Sequence, residues 1–288
     1  MTIWFFGSDK YSQIVLKSLQ QNQAIKITKI ISPQMILNLN LEKEEKPDVG
    51  ILASFGAIVP PAILNFPKHG ILNIHPSLLP KYRGSSPVQA AILNGERQTG
   101  VTIIKMDEKI DHGPIVAQFS EEILPADTAE KLYFRLFSAG AEVLKTILPA
   151  YLDGRIQLRE QDHSRATYAK KLTRENGFIS LERLKEATMG NNAEIVERQI
   201  RAYYPWPGTY TIIKFKIQSA NWQTKFKIQP TGWLIKSKIQ NKRLKILRAH
   251  LENERLVLDT VQLEGKKPVN FQQFRQGYPE VKKLFFGS

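Results

Sequence analysis

The stretch of sequence on which the fold and the candidate site both depend is GILNIHPSLLPKYRG, residues 70–84. Two polar side chains, Asn73 and His75, interrupt its apolar first part at alternate positions. Side chains two residues apart in a strand point to the same face, so Asn73 and His75 should project side by side. Pro76 cannot donate to a sheet ladder, which predicts that the strand ends there. The stretch therefore predicts a strand that carries two polar groups at its carboxyl end.

On either side of this strand, residues 1–154 alternate between strand-like and helix-like patterns. The order of these elements predicts a three-layer α/β domain with a mostly parallel sheet. Its last and longest helix is predicted to begin at Asp127 as N-cap. Ligands of such a sheet gather at the carboxyl ends of the strands. Gly7 stands alone where a G-x-G-x-x-G loop would need three glycines, and this argues against a nicotinamide site.

The rest of the chain differs in pattern. Residues 155–190 are polar and irregular, and we interpret them as a linker. Residues 191–288 begin with a short helix and continue as short strands that alternate lysine with apolar residues, the pattern of a half-exposed sheet. Five such strands predict a small barrel of the oligonucleotide-binding (OB) type. The expected organisation is a domain over 1–154, a linker over 155–190 and a second domain over 191–288.

The positive charge is concentrated at the carboxyl-terminal end. Residues 201–288 hold 17 Lys and Arg against 5 Asp and Glu, which gives +12 of the total net charge of +14. Such asymmetry favours a polyanionic partner, and nucleic acid comes before the alternative of a solvated, lysine-rich sheet surface.

Composition narrows the class of protein. The chain has no cysteine, so thiolate catalysis and cysteine-bound zinc are excluded. Its apolar stretches are shorter than the roughly 20 residues of a membrane span. Met1 leads directly into TIWFFG without a basic region, which is typical of a core strand rather than a signal peptide. We expect a cytoplasmic, monomeric enzyme.

Asn73 and His75 need a third partner for chemistry, and MDEKIDHG offers Asp107 and Asp111. A histidine and a carboxylate can move a proton, while an asparagine amide can donate to an oxyanion. The alternatives are purely structural roles, or a metal bound by His69, His75 and His112, whose spacing matches no H-E-x-x-H pattern. The spacing alone does not decide between them.

Residues 73–118 resemble the core of the folate-dependent formyltransferases, which move a formyl group from 10-formyltetrahydrofolate to an amine. The family pattern is Asn-x-His, then Ser-Leu-Leu-Pro and Arg-Gly, then Asp-x-Gly after a strand. It falls here on Asn73, His75, residues 77–80, residues 83–84, and Asp111 with Gly113. The resemblance implies a Rossmann-like formyltransferase domain followed by an OB-like barrel, with no metal.

The resemblance also implies roles for the site residues. Asn73 would donate to the formyl oxygen, His75 would stabilise that oxygen and carry the amine's proton, and Asp111 would orient His75. The folate ring would lie against the backbone near Phe55, Gly56 and Ala57. The pocket would be closed by Ser77, Leu78, Leu79 and Pro80.

Later segments, including IRAYYPWPGTYT, resemble the members of the family that act on initiator methionyl-tRNA, so methionyl-tRNA and folate are the expected partners. A nucleotide-linked amino sugar is the alternative acceptor, and a nucleic-acid-binding module on a silent scaffold is the alternative of another class. Two features depart from the family. His112 replaces a small residue, and residues 32–47 are shorter than the basic insertion that the tRNA enzymes carry there.

Overall fold

The computed structural model of the protein describes residues 1–217 and 238–278. The chain divides into two units, Met1–Leu172 and Thr173–Ser288. The division falls within residues 155–190, the range interpreted from the sequence as a linker.

Unit 1 is built on a six-stranded sheet of order β2-β1-β3-β4-β6-β7. The first four strands are parallel, whereas β6 pairs antiparallel with β4, and β7 pairs antiparallel with β6. The elements of unit 1 are β1 Thr2–Phe6, α1 Ser12–Gln20, β2 Lys26–Ile31, β3 Val49–Ala53, α2 Pro61–Leu64, β4 Ile71–His75, β5 Arg83–Gly84, α3 Pro87–Leu93, β6 Gln98–Lys105, β7 Ile115–Glu122, α4 Ala129–Leu152 and β8 Tyr168–Ala169.

The central strands explain the layered architecture. Every residue of β3 and β4 is buried, as is usual for strands covered on both faces. In β4 the face opposite Asn73 and His75 is formed by Ile74, which lies in the core. The mostly parallel α/β fold predicted for this part of the chain is confirmed.

The start of α4 differs from the prediction. Thr128, not Asp127, is the N-cap, and its hydroxyl accepts a hydrogen bond from the Lys131 amide at 3.3 Å. Asp127 is buried and accepts instead from the Arg135 guanidinium at 2.7 and 3.0 Å. The prediction of Asp127 as N-cap was therefore wrong, because an arginine two turns along the helix takes this carboxylate as its partner.

Unit 2 has an antiparallel sheet of order β12-β11-β10-β9. Helices α5 and α6 and the residues of α7 pack against it around Leu184, Val196, Ile213, Leu244 and Phe271. The elements are α5 Leu181–Thr188, α6 Ala193–Ala202, β9 Thr209–Ile217, β10 Lys238–Glu252, β11 Arg255–Leu263, β12 Val269–Asn270 and α7 Phe271–Gly277.

The sheet of unit 2 confirms the second, β-rich part of the predicted fold. The predicted strand TKFKIQP, residues 224–230, lies outside the described residues, as does most of WLIKSKI, residues 233–239. Within the described ranges, no helix combines the length and apolar character needed to cross a membrane.

Gly140 sets the distance between α4 and the strand that carries the candidate site. A Cβ atom added at Gly140 would lie 2.9 Å from Ile74 Cγ2 and 3.2 Å from Val101 Cγ1. Both neighbours are β-branched and fully or almost fully buried, so neither can move away cheaply. The glycine thus allows α4 to pack closely on β4 behind Asn73 and His75.

We predict that Gly140→Ala lowers the free energy of unfolding by about 1–3 kcal/mol, because overpacking outweighs the gain of about 1 kcal/mol in helix propensity. Chemical denaturation measures the change. Ser138→Ala, an exposed position in the same helix, is the matched control and should stay within about 0.5 kcal/mol of the parent. A Gly140→Ala chain as stable as the parent would contradict the close packing described here.

Candidate active site

Strand β4 presents Asn73 and His75 on one face, as the alternation of the sequence predicted. Their exposed fractions are 7% and 4%. The strand ends at His75, where Pro76 interrupts the ladder. Two polar side chains are therefore held on a buried inner strand of the sheet.

Asp111 lies against both of these residues. Asn73 Nδ2 donates to Asp111 Oδ1 at 3.1 Å, and His75 Nδ1 lies 3.5 Å from Asp111 Oδ2. The backbone amide of Gly84 donates to the same Oδ2 atom at 2.7 Å. The structure thus brings together the three predicted catalytic residues, and a backbone donor completes the coordination of the carboxylate.

Asp111 does not follow a strand whose carboxyl end lies beside that of β4. Because β6 is antiparallel to β4, Lys105 at the end of β6 pairs with Leu72 near the start of β4. Residues 106–114 then connect β6 to β7 and bring Asp111 to Asn73 and His75, and a hydrogen bond from Lys105 N to Pro114 O at 3.0 Å closes this connection. Asp111 has a φ of 49°, in the left-handed region that Asp tolerates better than most residues.

His75 is also held from its other side. Its Nε2 atom lies 3.0 Å from the carbonyl oxygen of Tyr82, so each ring nitrogen faces an acceptor. Tyr82 has a φ of 61°, and its amide donates to Thr167 Oγ1 at 2.8 Å. The Tyr82 hydroxyl donates to Glu96 at 2.7 Å and accepts from Asn94 at 2.9 Å, which fixes the residue whose carbonyl orients the imidazole.

Two pKa shifts accompany this anchoring of Tyr82. Burial raises the pKa of the Tyr82 phenol. The hydrogen bond from Tyr82 lowers the pKa of the Glu96 carboxyl below its ordinary value, with a smaller contribution from Lys81. Glu96 therefore stays ionised, and Tyr82 stays a neutral donor, across the physiological range.

Asp107, the second carboxylate considered from the sequence, is engaged elsewhere. Its Oδ2 atom lies 2.6 Å from His112 Nδ1, and the His112 ring stacks on His163 with centroids 3.9 Å apart. His69 lies beside Tyr151, whose hydroxyl donates to the His69 carbonyl at 2.6 Å. In the part of the chain that the structure describes, no three His, Asp or Glu side chains form a group able to hold a metal ion.

The residues predicted to contact a folate ring form two neighbouring connections. Phe55 is buried and packs edge-on against Phe6 at 5.8 Å, and Ala57 packs on the same apolar cluster. Gly56 has a φ of 73°, and no atom lies within 4 Å of the position that its Cβ would occupy. The backbone at Gly56 is therefore open to the close approach of a flat ring.

The Ser77–Pro80 turn is fixed by Thr102, which pairs with His75 across the sheet. The Thr102 hydroxyl donates to Ser77 O at 2.6 Å and accepts from Leu79 N at 3.0 Å. Leu79 is buried with Ile104 and Ile115, while Leu78 is half-buried and Pro80 follows a cis peptide bond. The turn is thus rigid and follows directly from the strand that carries His75.

Sequence reasoning missed three residues that shape this site, namely Tyr82, Thr102 and Gln161. Tyr82 acts through its carbonyl, which carries no sequence signal. Thr102 looks like an ordinary strand residue. Gln161 stands in the polar segment interpreted as a linker, and its side-chain amide donates to the carbonyl oxygens of Asp111 and Gly113, contacts that no sequence pattern indicates.

Two family models match the chain: that for formyl transferase over residues 10–148, and that for the formyl transferase C-terminal domain over residues 190–279. A methionyl-tRNA formyltransferase of Dictyoglomus thermophilum is 38% identical over 242 residues, which are 83% of this chain and 74% of that protein. A methionyl-tRNA formyltransferase of Chloroflexus aurantiacus is 46% identical over 184 residues, 61% of this chain. The chain spans only 57% of the length of the latter.

Among solved structures, a methionyl-tRNA formyltransferase from Clostridium thermocellum is similar with a TM-score of 0.62. The match covers 91% of this chain and 98% of that chain at 20% sequence identity. At this identity the likeness concerns the fold alone.

Proposed function

This chain belongs to the formyl transferase family, and from that premise we propose that it transfers a formyl group from 10-formyltetrahydrofolate to the amino group of methionyl-tRNA. Formylation of the initiator tRNA would serve translation initiation. The observation that carries the proposal is the contact of Asp111 with Asn73 and His75, which lie on one buried face of β4.

The proposed reaction is direct attack of the amine on the formyl carbon. The donor supplies an already activated formyl group when it is bound. A bond forms from the amine nitrogen to the formyl carbon, the bond from that carbon to the donor nitrogen breaks, and one proton passes from the amine to the donor nitrogen. The chain's own residues therefore have to stabilise an oxyanion and move a proton.

The geometry supports a division of these tasks. Among the described residues Asn73 Nδ2 donates one hydrogen bond, to Asp111, and its second hydrogen can go to the formyl oxygen. His75 Nδ1 faces the Asp111 carboxylate, an arrangement that stabilises the imidazolium formed when the ring takes the proton. Burial of Asn73 and His75 strengthens both interactions, because little water screens them.

The folate site is proposed at Phe55, Gly56, Ala57 and the Ser77–Pro80 turn. The open backbone at Gly56 supports this placement, since a side chain there would occupy the space next to the ring. These residues would bind and orient the donor beside Asn73.

The choice of acceptor rests on charge. A nucleotide-linked amino sugar carries one diphosphate, whereas residues 201–288 carry a net charge of +12. Such an excess supports a polyanion, and methionyl-tRNA is the amine-bearing polyanion for which the two relatives described above are named. A formyl-transfer assay with methionyl-tRNA, nucleotide-linked amino sugars and small amines separates the alternatives, including a silent scaffold that formylates none of them. The cytoplasmic location and the monomeric state remain predictions.

We predict that Asn73→Ala, His75→Ala and Asp111→Ala each lower kcat/KM for formyl transfer by at least about 100-fold, the scale of a lost oxyanion donor or proton-transfer group. His250→Ala is the matched control. His250 pairs with Asp259 at 2.9 Å but is exposed in unit 2, so its loss should leave kcat at saturating tRNA unchanged. Near-normal turnover in a folded Asn73→Ala or His75→Ala variant would remove that residue from the mechanism.

We predict salt-dependent tRNA binding through unit 2. If about five basic residues contact phosphates, log affinity should fall against log salt with a slope of about −4 to −5. Replacing the exposed Lys214, Lys245 or Arg248 by Gln should reduce the slope by about 1 each, while Lys17→Gln, exposed on α1 of unit 1, should not change it. Affinity that is constant from low to physiological salt would contradict phosphate contacts.

The segment between β2 and β3 bears on acceptor selection. It forms two short 3₁₀ turns, Ile36–Asn38 and Leu41–Lys43, and Ile36 is buried in the apolar cluster beside the sheet. Residues 42–46, EKEEK, carry three acids against two bases, and Glu44 pairs with Lys29. The segment is short, is anchored on the sheet and offers phosphates little attraction.

We predict that discrimination between initiator and elongator methionyl-tRNA is weaker here than in relatives with a long basic insertion. Contacts to phosphates are largely blind to sequence, so a basic unit 2 cannot replace an element that reads the acceptor stem. The measurement is kcat/KM for both tRNAs and for initiator variants altered at the first acceptor pair. A ratio of about 10³ or more, equivalent to roughly 4 kcal/mol, would mean that another element reads the stem.

A further inference from the structure

Gln161 is a buried polar residue that contacts the backbone on both sides of His112. Its exposed fraction is 5%. The side-chain amide donates to Asp111 O at 2.9 Å and to Gly113 O at 2.7 Å. Its Oε1 atom accepts from the Arg83 guanidinium at 2.7 Å. All three distances are in the ordinary range of hydrogen bonds, so both the nitrogen and the oxygen of the side-chain amide have partners.

The position of Gln161 follows from a short antiparallel pairing. Arg159 and Ile115 exchange both backbone hydrogen bonds, at 2.7 and 3.0 Å. Continuing this register by two residues on each strand brings Gln161 opposite Gly113. The segment after α4 is thereby fixed along the start of β7, with its glutamine beside the connection that carries Asp111.

The connection at Asp111 needs such support. Asp111 lies in the left-handed region, which costs a non-glycine residue about 1–3 kcal/mol when the surroundings impose it. A Cβ atom at Gly113 would lie 2.0 Å from Lys105 O, so the backbone is already packed tightly there. The two bonds from Gln161 hold the carbonyls of these same two residues.

Arg83 and Gly84, the two residues of β5, connect Gln161 with the side chain of Asp111. Arg83 is 2% exposed and donates to Gln161 and, at 2.8 Å, to His163 Nδ1, while the next residue's amide donates to the Asp111 carboxylate. The backbone carbonyl of Asp111 is therefore linked to Arg83 through Gln161, and its carboxylate is bonded directly to the amide of Gly84.

We propose that Gln161 is a positioning residue for catalysis: by holding the backbone of residues 111–113, it fixes the Asp111 carboxylate against Asn73 and His75. The expected effect on kcat rests on the proposed formyl transfer, whereas the expected effect on the backbone of residues 111–113 does not. Gln161 reaches none of the reacting atoms and acts only through Asp111.

The first test is Gln161→Met, which keeps the length of the side chain and removes its donors and acceptor. We expect kcat to fall about 10- to 100-fold, as small misplacements of catalytic groups do, with KM for either substrate changed less than about threefold. Gln199→Met is the matched control, since Gln199 is 7% exposed and donates to the carbonyl of Asn176 at 3.1 Å in unit 2. It should lose stability and keep kcat. A Gln161→Met enzyme with parental kcat would overturn the proposal.

A double-mutant cycle separates positioning from general stability. In an Asp111→Asn background, Gln161→Met should have little further effect on kcat, because the carboxylate it positions is already lost. Fully additive effects would contradict action through Asp111. If Gln161→Met does not fold, Gln161→Glu replaces it. Its carboxylate keeps the acceptor for Arg83 and lacks both donors, so kcat should again fall about 10- to 100-fold, and a parental kcat would refute the proposal.

Hydrogen exchange gives a readout that is independent of turnover. Amides of residues 106–114 should exchange at least about tenfold faster in Gln161→Met than in the parent or in Gln199→Met, because this connection opens locally. Unchanged exchange would overturn the proposal even if catalysis were impaired. A parent enzyme that formylates no amine, combined with faster exchange in Gln161→Met, would refute the proposed function and retain the structural role.

Discussion

The Asp111 carboxylate is the group on which the site depends. It accepts from Asn73 and from the Gly84 amide and faces His75, so one side chain links β4, the β5 dipeptide and the β6–β7 connection. A partly buried carboxylate loses part of its hydration and is stable only when hydrogen-bond donors replace the water. Here the donors are Asn73 in β4 and the amide of Gly84 in β5, whose positions are fixed by strand pairing. The hydrogen bonds that stabilise the carboxylate therefore also align it with Asn73 and His75.

The antiparallel end of the sheet explains why this arrangement needs so many supports. In an all-parallel sheet the connection after β6 would leave at the same edge as His75. Since β6 runs the other way, residues 106–114 leave β6 at the opposite edge, yet Asp111 reaches Asn73 and His75. Gln161 and Lys105 hold the backbone of this connection through its carbonyl oxygens, and Gly84 holds the carboxylate of Asp111.

Much of this architecture could be predicted from the sequence because the signals are local. The alternation at Asn73 and His75, the stop at Pro76 and the apolar strand runs all depend on neighbours along the chain. The N-cap of α4 was missed because Asp127 was expected to serve the nearest helix, whereas Arg135 competes for it from within that helix. The contacts of the Tyr82 carbonyl with His75 and of Gln161 with Gly113 could not be predicted from any local pattern. A carbonyl oxygen has no sequence signature, and the bond from residue 161 to residue 113 depends on a register that only the folded edge of β7 defines.

The charged and polar interactions of the two units differ in how strongly water and salt screen them. Asn73 and His75 are less than a tenth exposed, so their interactions with Asp111 act where water and salt screen little. The positive charge of residues 201–288 includes exposed side chains such as Lys214 and Lys245, whose attraction for phosphate weakens with ionic strength. If both act in one reaction, salt should change KM for the tRNA and leave the chemical step nearly constant. Under that proposal, the charge of unit 2 can vary without disturbing the hydrogen bonds that align Asp111.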